Sequence, residues 1–554
     1  MSLPFRHATA EDYLQDTIEK LQAAQPDFTH LKIGNYSTQG LLLNWLAPSP
    51  TTSARHPQRQ LDTVQLTTLL DHGTRNPNLK ELTFCNVDIN NSCTTDHDDD
   101  SSTRIAVLDH LVGLFTNGTS CADGRRNWKK ISLTACGYGV GSGIGIIQAL
   151  GIASPNDMSV DTIHIANCNM NSTDYRHLGR FIQHNTSLIR LTLIEQDMTK
   201  ERTQVEDVVA VEAPNQEQSN HWLYQGLASK SCSLERLDLS FCEIESQFPL
   251  DYDLTITRSI AQGIARNQSL LVLNLSGCEL DDHHICGLVR YGLLHHPRIH
   301  TLTLSRNNCA DTGLDALSTL LHCNVQDGDN DSSNNAPTKS LCPLEVLDLS
   351  NQHFERDDDS KLCLTDAFGL SLTSNRTLTS LNLSFNKLVD SDVFYLANAL
   401  SHNRTLQILD LRSNRIGDAG VVALSSTLNG KDDSDTPNNN ILGASSCGLV
   451  KLFLFGNPFG EVGAEALYKA IQCNTTVVTL NLHYNSCFYD AIQYYACLNL
   501  AGRKLLQHRD AVPPGLWSHV LSRAGRVSRV SRGTCRESDI IYHMVRHGAD
   551  MFVV

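Results

Sequence analysis

The 554-residue sequence is short of what many catalytic, secreted and membrane proteins depend on. Its 18 cysteines include no C-x-x-C pair. Scattered thiols without a repeating framework are expected to be reduced and mostly buried, as in an intracellular protein. No apolar run approaches the roughly 18 residues that a membrane span needs. The N-terminal stretch MSLPFRHATAEDYLQD has no apolar core and no cleavage site, so it does not read as a secretory signal. Aromatic residues make up only 6%. Basic residues are outnumbered, 44 Lys and Arg against 60 Asp and Glu, for a net charge of −16. That balance is unfavourable for general nucleic-acid binding. The expectation is an intracellular, cytoplasmic chain without a membrane span.

What the sequence has in abundance is one frame. Leu406–Ile416 reads LQILDLRSNRI, with Leu406, Leu409, Leu411, Asn414 and Ile416 spaced L-x-x-L-x-L-x-x-N-x-I. Leu409 and Leu411 alternate on one face of a short strand, with Asp410 and Arg412 on the other. Asn414 stands where the chain turns away and can bond to backbone polar groups of a neighbouring turn. Clear copies begin at Leu79, Trp128, Val160, Leu188, Leu234, Leu270, Ile299, Leu344, Leu378, Leu406, Leu449 and Val477, with a degenerate one at Phe28. The shortest spacings, 160 to 188 and 378 to 406, set a period of about 28 residues. Cys168, Cys242 and Cys278 take the Asn position. After each strand the chain reads as helix. Val421, Leu424 and Leu428 share one face after Asn414. Val462, Ala466, Leu467 and Ile471 are expected inward after Asn457.

This frame resembles the leucine-rich repeat, in the ribonuclease-inhibitor-like class that carries a true helix per repeat. The resemblance covers roughly residues 28–497 as an array of about 12–13 repeats. It implies a curved α/β solenoid, or horseshoe, with parallel strands on the concave face and helices on the convex face. Residues 1–27 are expected to form an N-terminal helical cap, with a helix over 9–24. Polar, acidic stretches near 94–103, 199–220, 324–340 and 431–447 read as solvated insertions. Residues 498–554 read as a small, basic helical extension, because 501–554 hold nine Lys or Arg against four Asp or Glu.

No motif carries catalysis. The glycine-rich stretch 136–145 lacks both the G-x-G-x-x-G spacing and a terminal Gly-Lys-Ser/Thr, so it reads as a repeat turn. His543 and His547 stand four apart, but Met544 takes the place of the glutamate of a zinc hydrolase motif. There is no G-x-S-x-G nucleophile turn. RVSRVSR (526–532) reads either as a solvated linker or as a basic, phosphorylatable contact. The sequons at Asn274, Asn382 and Asn403 are expected to be unmodified. No catalytic residue, cofactor or metal ligand follows.

Binding residues are sought among the strand positions that face away from the core. Columns there run mostly Asp, Asn, Thr and Ser. Phe453 and Phe455 break that habit, flanked by Asp410 and Arg412 on the previous repeat and His483 and Tyr484 on the next. Aromatic and arginine clusters are what binding hot spots are made of. The sequence therefore points to a non-enzymatic scaffold that takes a protein partner on its concave face. The alternative is a substrate-recognition or regulatory subunit, such as a ubiquitin-ligase adaptor or GTPase regulator, whose C-terminal extension recruits the effector.

Overall fold

Each clear frame opens on a large apolar residue, most often leucine, and stacking the strands brings their inward side chains into rows. Leu409 lies opposite Leu381 on one side and Leu452 on the other, and all three are fully buried. Each such side chain contributes about 1.5–3 kcal/mol relative to an exposed one. No repeat has that burial alone, which is why the array must be built as a series.

The computed structural model describes residues 30–34, 79–85, 128–134, 145–152, 159–168, 170–198, 222–244, 256–294, 296–322, 342–352, 362–429, 447–483 and 486–504. It also describes the isolated residues 19, 20, 23, 519, 522, 540 and 542. The chain falls into two units, Met1–Cys278 and Glu279–Val554.

In the first unit the strands are β1 (His30–Gly34), β2 (Glu81–Cys85), β3 (Lys130–Thr134), β4 (Thr162–Ala166), β5 (Arg190–Ile194), β6 (Arg236–Asp238) and β7 (Val272–Asn274). Each pairs in parallel with the next. The helices are α1 (Gly145–Ile152), α2 (Ser172–His184), α3 (Trp222–Leu227) and α4 (Ile256–Arg266). In the second unit β8 (Thr301–Thr303), β9 (Val346–Asp348), β10 (Ser380–Asn382), β11 (Ile408–Asp410), β12 (Lys451–Phe453) and β13 (Thr479–Asn481) follow the same parallel order. Its helices are α5 (Asp282–Leu288), α6 (Asp311–Leu321), α7 (Asp366–Ser374), α8 (Asp390–His402), α9 (Asp418–Leu428), α10 (Glu461–Cys473) and α11 (Tyr489–Ala501). From β3 onward, strand, turn and helix alternate among the described residues of each unit as the repeat frame requires.

The asparagine of the frame ties neighbouring repeats together. Asn414 Nδ2 donates to the carbonyls of Leu383 (3.0 Å) and Leu411 (2.9 Å). Its Oδ1 accepts from the backbone N–H groups of Asn386 (2.9 Å) and Leu388 (3.1 Å). Cys242 and Cys278 keep part of this role, donating Sγ–H to the carbonyls of Leu193 (3.3 Å) and Leu239 (3.0 Å). A second ladder lies at the helix-to-strand loops. There buried Asn375, Asn403 and Asn474 each accept from the two N–H groups that open the next frame. Each also donates to a carbonyl of the preceding repeat. Asn403 is 1% exposed, so its sequon has no room for a glycan.

Three helix starts, those of α6, α9 and α10, are capped from the repeat before. The Asp418 carboxylate accepts from the N–H groups of Gly460 (2.8 Å) and Gly463 (2.7 Å) at the head of α10. Asp390 accepts from Gly417 (2.7 Å), and Asp282 accepts from Ala310 (2.5 Å) and Thr312 (3.2 Å). These acids sit at the first residue of their own helices, where the helix dipole also favours a negative charge.

Two local findings depart from the simple period. The repeat from 270 to 299 has one residue more than 28, and it closes α5 with a π turn over Val289–Leu293, which holds one extra residue without breaking the helix. In α10 the inward stripe is Ala464, Leu467 and Ile471, and Val462 is 62% exposed rather than inward. Val462 precedes Ala464 by two residues, roughly 200° around the helix, so both cannot face the core.

The expected helix over 9–24 is described only at Glu19, Lys20 and Ala23, where Ala23 N–H donates to the Glu19 carbonyl at 2.9 Å. The insertions, the glycine-rich stretch up to residue 144, His543, His547 and RVSRVSR lie outside the described residues. Within the C-terminal stretch, Ile540 is fully buried in a cluster with Leu498 and Ala501 of α11.

Candidate functional site

The frame places a backbone turn at the end of every strand, and that turn shapes the exposed face. The residue before the ladder Asn, Cys or Gln takes a left-handed conformation: Glu195, Phe241, Arg306, Asn351, Phe385 and Ser413 have φ between 53° and 61°. A non-glycine residue there is strained. The compensation is visible, because its N–H donates to a carbonyl of the next repeat: Phe385 to Arg412 at 2.9 Å, and Ser413 to Phe455 at 2.8 Å. At the equivalent Gly456 (φ 83°) a Cβ would lie 2.8 Å from the Ser413 Oγ. Glycine avoids both the strain and the close approach there.

On this face the second unit gathers the aromatic and charged residues singled out from sequence. Asp410 and Arg412 lie two apart on one strand end and form a fork. Arg412 Nε donates to both carboxylate oxygens at 3.0 Å, and Nη2 donates to Oδ2 at 2.6 Å. The Asp410 hydrogen bond holds the Arg412 guanidinium above its ordinary pKa. The Arg412 side chain is 47% exposed while that of Asp410 is only 10% exposed. Such a half-wet pair adds about 1 kcal/mol or less to stability, but it fixes the guanidinium plane. Arg412 Cζ stands 5.3 Å from the Phe453 ring centroid. Just past the ends of β12 and β13, the Phe455 and His483 rings are 4.8 Å apart and tilted by 38°. Gly456 N–H donates to His483 Nε2 at 3.2 Å, so the neutral ring carries its proton on Nδ1.

Arg412, Phe453, Phe455 and His483 are therefore brought together, with Asp410 beneath them as the anchor of Arg412. Tyr484 lies outside the described residues. Phe385 was missed: it is 56% exposed and joined through its backbone to Arg412. Its signal was an aromatic at the turn position, which alternation along the strand gave no reason to inspect.

A pocket of about 420 Å³ is lined by Asp281, Asp282, His283, Cys286, Asn308, Ala310 and Thr312. Its acids are already engaged. Asp281 accepts from His283 and His284 N–H at the head of α5 and pairs with His284 Nδ1 at 2.7 Å, while Asp282 caps α6. The protonatable ring of His284, followed by the cost of burial acting the other way, leaves Asp281 at about 2. Among the described residues no three His, Cys, Asp or Glu side chains converge as metal ligands. Twelve described cysteines carry thiols rather than disulfides. Burial pushes Cys242 and Cys342 up to about 12, far from a reactive thiolate. No described helix is long and apolar enough to cross a membrane.

A family profile described as Leucine Rich repeat matches residues 230–247, 266–282, 374–397 and 402–425. No curated protein sequence matches the chain. Among solved structures the chain is similar to an internalin from Listeria monocytogenes at 15% identity, over 72% of this chain and 86% of that one, with a TM-score of 0.32. It is also similar to leiomodin-1 actin-binding site 2 at 20% identity, over 27% of this chain and 84% of that one, with a TM-score of 0.21. The Caenorhabditis elegans tropomodulin C-terminal domain is similar at 12% identity, over 25% of this chain and 77% of that one, with a TM-score of 0.21. Likenesses this slight do not bear on what the chain binds.

Proposed function

We propose that this leucine-rich-repeat protein is a non-enzymatic interaction scaffold that takes a protein partner on the strand face of its second unit. The observation that carries the reading is the group Arg412, Phe453, Phe455 and His483, where the repeat elsewhere puts mostly Ser, Thr, Asn and Asp, with the exposed Phe385 joined to Arg412 through its backbone. Arg412 is held flat by Asp410 and Phe455 is 39% exposed, so little ordering entropy remains to be lost on binding. Rigid aromatics and an arginine are the side chains that dominate protein interfaces. The chemistry of the face offers surface complementarity and no activated nucleophile.

The test is Phe453→Ser combined with Phe455→Ser. Partner capture is expected to weaken by about thirtyfold or more, since two hot-spot residues are lost, with the melting temperature unchanged. A large drop in melting temperature would mean that the rings are covered within the fold, and the proposal fails.

The recruiting-subunit reading depends on the C-terminal extension. Ile540, buried against Leu498 and Ala501, favours a cap on the final helix. If residues 1–500 capture the same proteins as the full chain, the extension recruits nothing.

A further inference from the structure

We propose that Lys130, Arg190 and Arg236, on the strand face of the first unit, form a docking row for an extended acidic segment of a partner protein. The register places them together: Lys130 lies opposite Thr162, Thr162 opposite Arg190, and Arg190 opposite Arg236. At about 4.8 Å per strand, the row spans about 14 Å from β3 to β6. All three side chains are exposed, and none makes a salt bridge or side-chain hydrogen bond.

Nearby acids do not neutralise them. Asp238 accepts from Ser240 N–H and Asn274 Nδ2, both at 3.0 Å. Asp161 accepts from the Thr162 hydroxyl at 2.8 Å, and Glu81 pairs with His30 at 3.5 Å. Glu235 stands beside Arg236 in sequence without reaching it within ion-pair distance. The contrast with the second unit is direct, since Arg412 there is satisfied by its own Asp410. The row's charge is felt one position along the strand, where His164 is held below its ordinary pKa by burial first and by Lys130 second, with Asp238 opposing.

Three unpaired cations in line, on a chain of net charge −16, call for carboxylates. An extended segment laid across the strands places alternate side chains about 6.8 Å apart, between the roughly 4.8 Å and 9.6 Å that separate the cations, a difference their long flexible side chains can span. A nucleic acid fits less well. The following positions, Ser132, His164 and Thr192, offer a single ring, the half-buried imidazole of His164, too little to stack successive bases. The row belongs to a different unit from the aromatic group and does not depend on it.

The test is a titration of the full chain with a fluorescent oligoglutamate peptide, followed by anisotropy at low and physiological salt. The unaltered protein is expected to bind, more weakly at the higher salt. Lys130→Gln with Arg190→Gln and Arg236→Gln is expected to lose about tenfold in affinity, with the melting temperature unchanged. Arg190→Lys with Arg236→Lys keeps the charge and most of the affinity. Equal binding by the neutralised variant overturns the proposal, as does no binding by the unaltered protein. So does tighter binding of a single-stranded oligonucleotide of equal charge. Removal of residues 94–103 is expected to leave the affinity unchanged; a gain of about tenfold would assign the row to the chain's own acidic insertion instead.

Discussion

The ladder residue Asn414 satisfies four backbone groups at once, and its value follows from what its loss strands. Asn414→Ala leaves the buried N–H donors of Asn386 and Leu388 without a partner, while the Leu383 and Leu411 carbonyls keep the amides of Asn386 and Asn457. It is expected to cost about 3 kcal/mol or more in urea unfolding, at about 1–3 kcal/mol per orphaned group. Asn414→Cys is expected to cost less, because a thiol at this position donates one bond, as Cys242 and Cys278 do. Equal losses would contradict the ladder account. Asp281 gives a test by pH. Its carboxyl is held at about 2 in the folded chain, below the unfolded value near 3.9. The stability it lends is therefore complete above about pH 4 and lost as pH falls from about 4 towards 2. Asp281→Asn should flatten that part of the acid unfolding curve; an unchanged curve would mean the carboxylate is not stabilised. Asn414 was legible in sequence because its spacing recurs. The loop asparagines Asn375, Asn403 and Asn474 recur just as regularly, but inside loops that alternation and helical periodicity do not reach.

At the scale of the element, the acid that opens α5, α8 or α9 also caps the helix that follows it. Asp418 is the clearest case, accepting from two N–H groups at the head of α10. Asp418→Ala is expected to lower stability by about 1 kcal/mol, the usual cost of a lost cap, as read by thermal unfolding. Gly463→Ala places a Cβ 2.9 Å from the same carboxylate oxygen and should act in the same direction. These contacts account for part of the chain's acidity, which in the sequence read only as a bias against nucleic acid. The strands themselves were readable from their leucines. The phase of α10 was not, because Val462 and Ala464 are both apolar and only packing decides between them. The basic row escaped for a similar reason: β3, β5 and β6 lie far apart in sequence, and only the register aligns Lys130, Arg190 and Arg236.

At the scale of the whole molecule, we propose that the same repeat serves two purposes in two units. Buried leucines and asparagines make the scaffold, and departures from the habitual Asp, Asn, Ser and Thr on the strand face make the surfaces. The second unit presents aromatic rings around a fixed arginine, while the first presents cations with no partner of their own. The central claim is that a partner meets the strand face at Phe455. The most direct measurement installs a photo-crosslinking phenylalanine analogue at position 455, with a control at Ser426 on the exposed side of α9. Crosslinks to another protein from position 455, and none from position 426, are the predicted result. Crosslinks that join position 455 only to the chain's own C-terminal extension, or that arise equally from position 426, would contradict it.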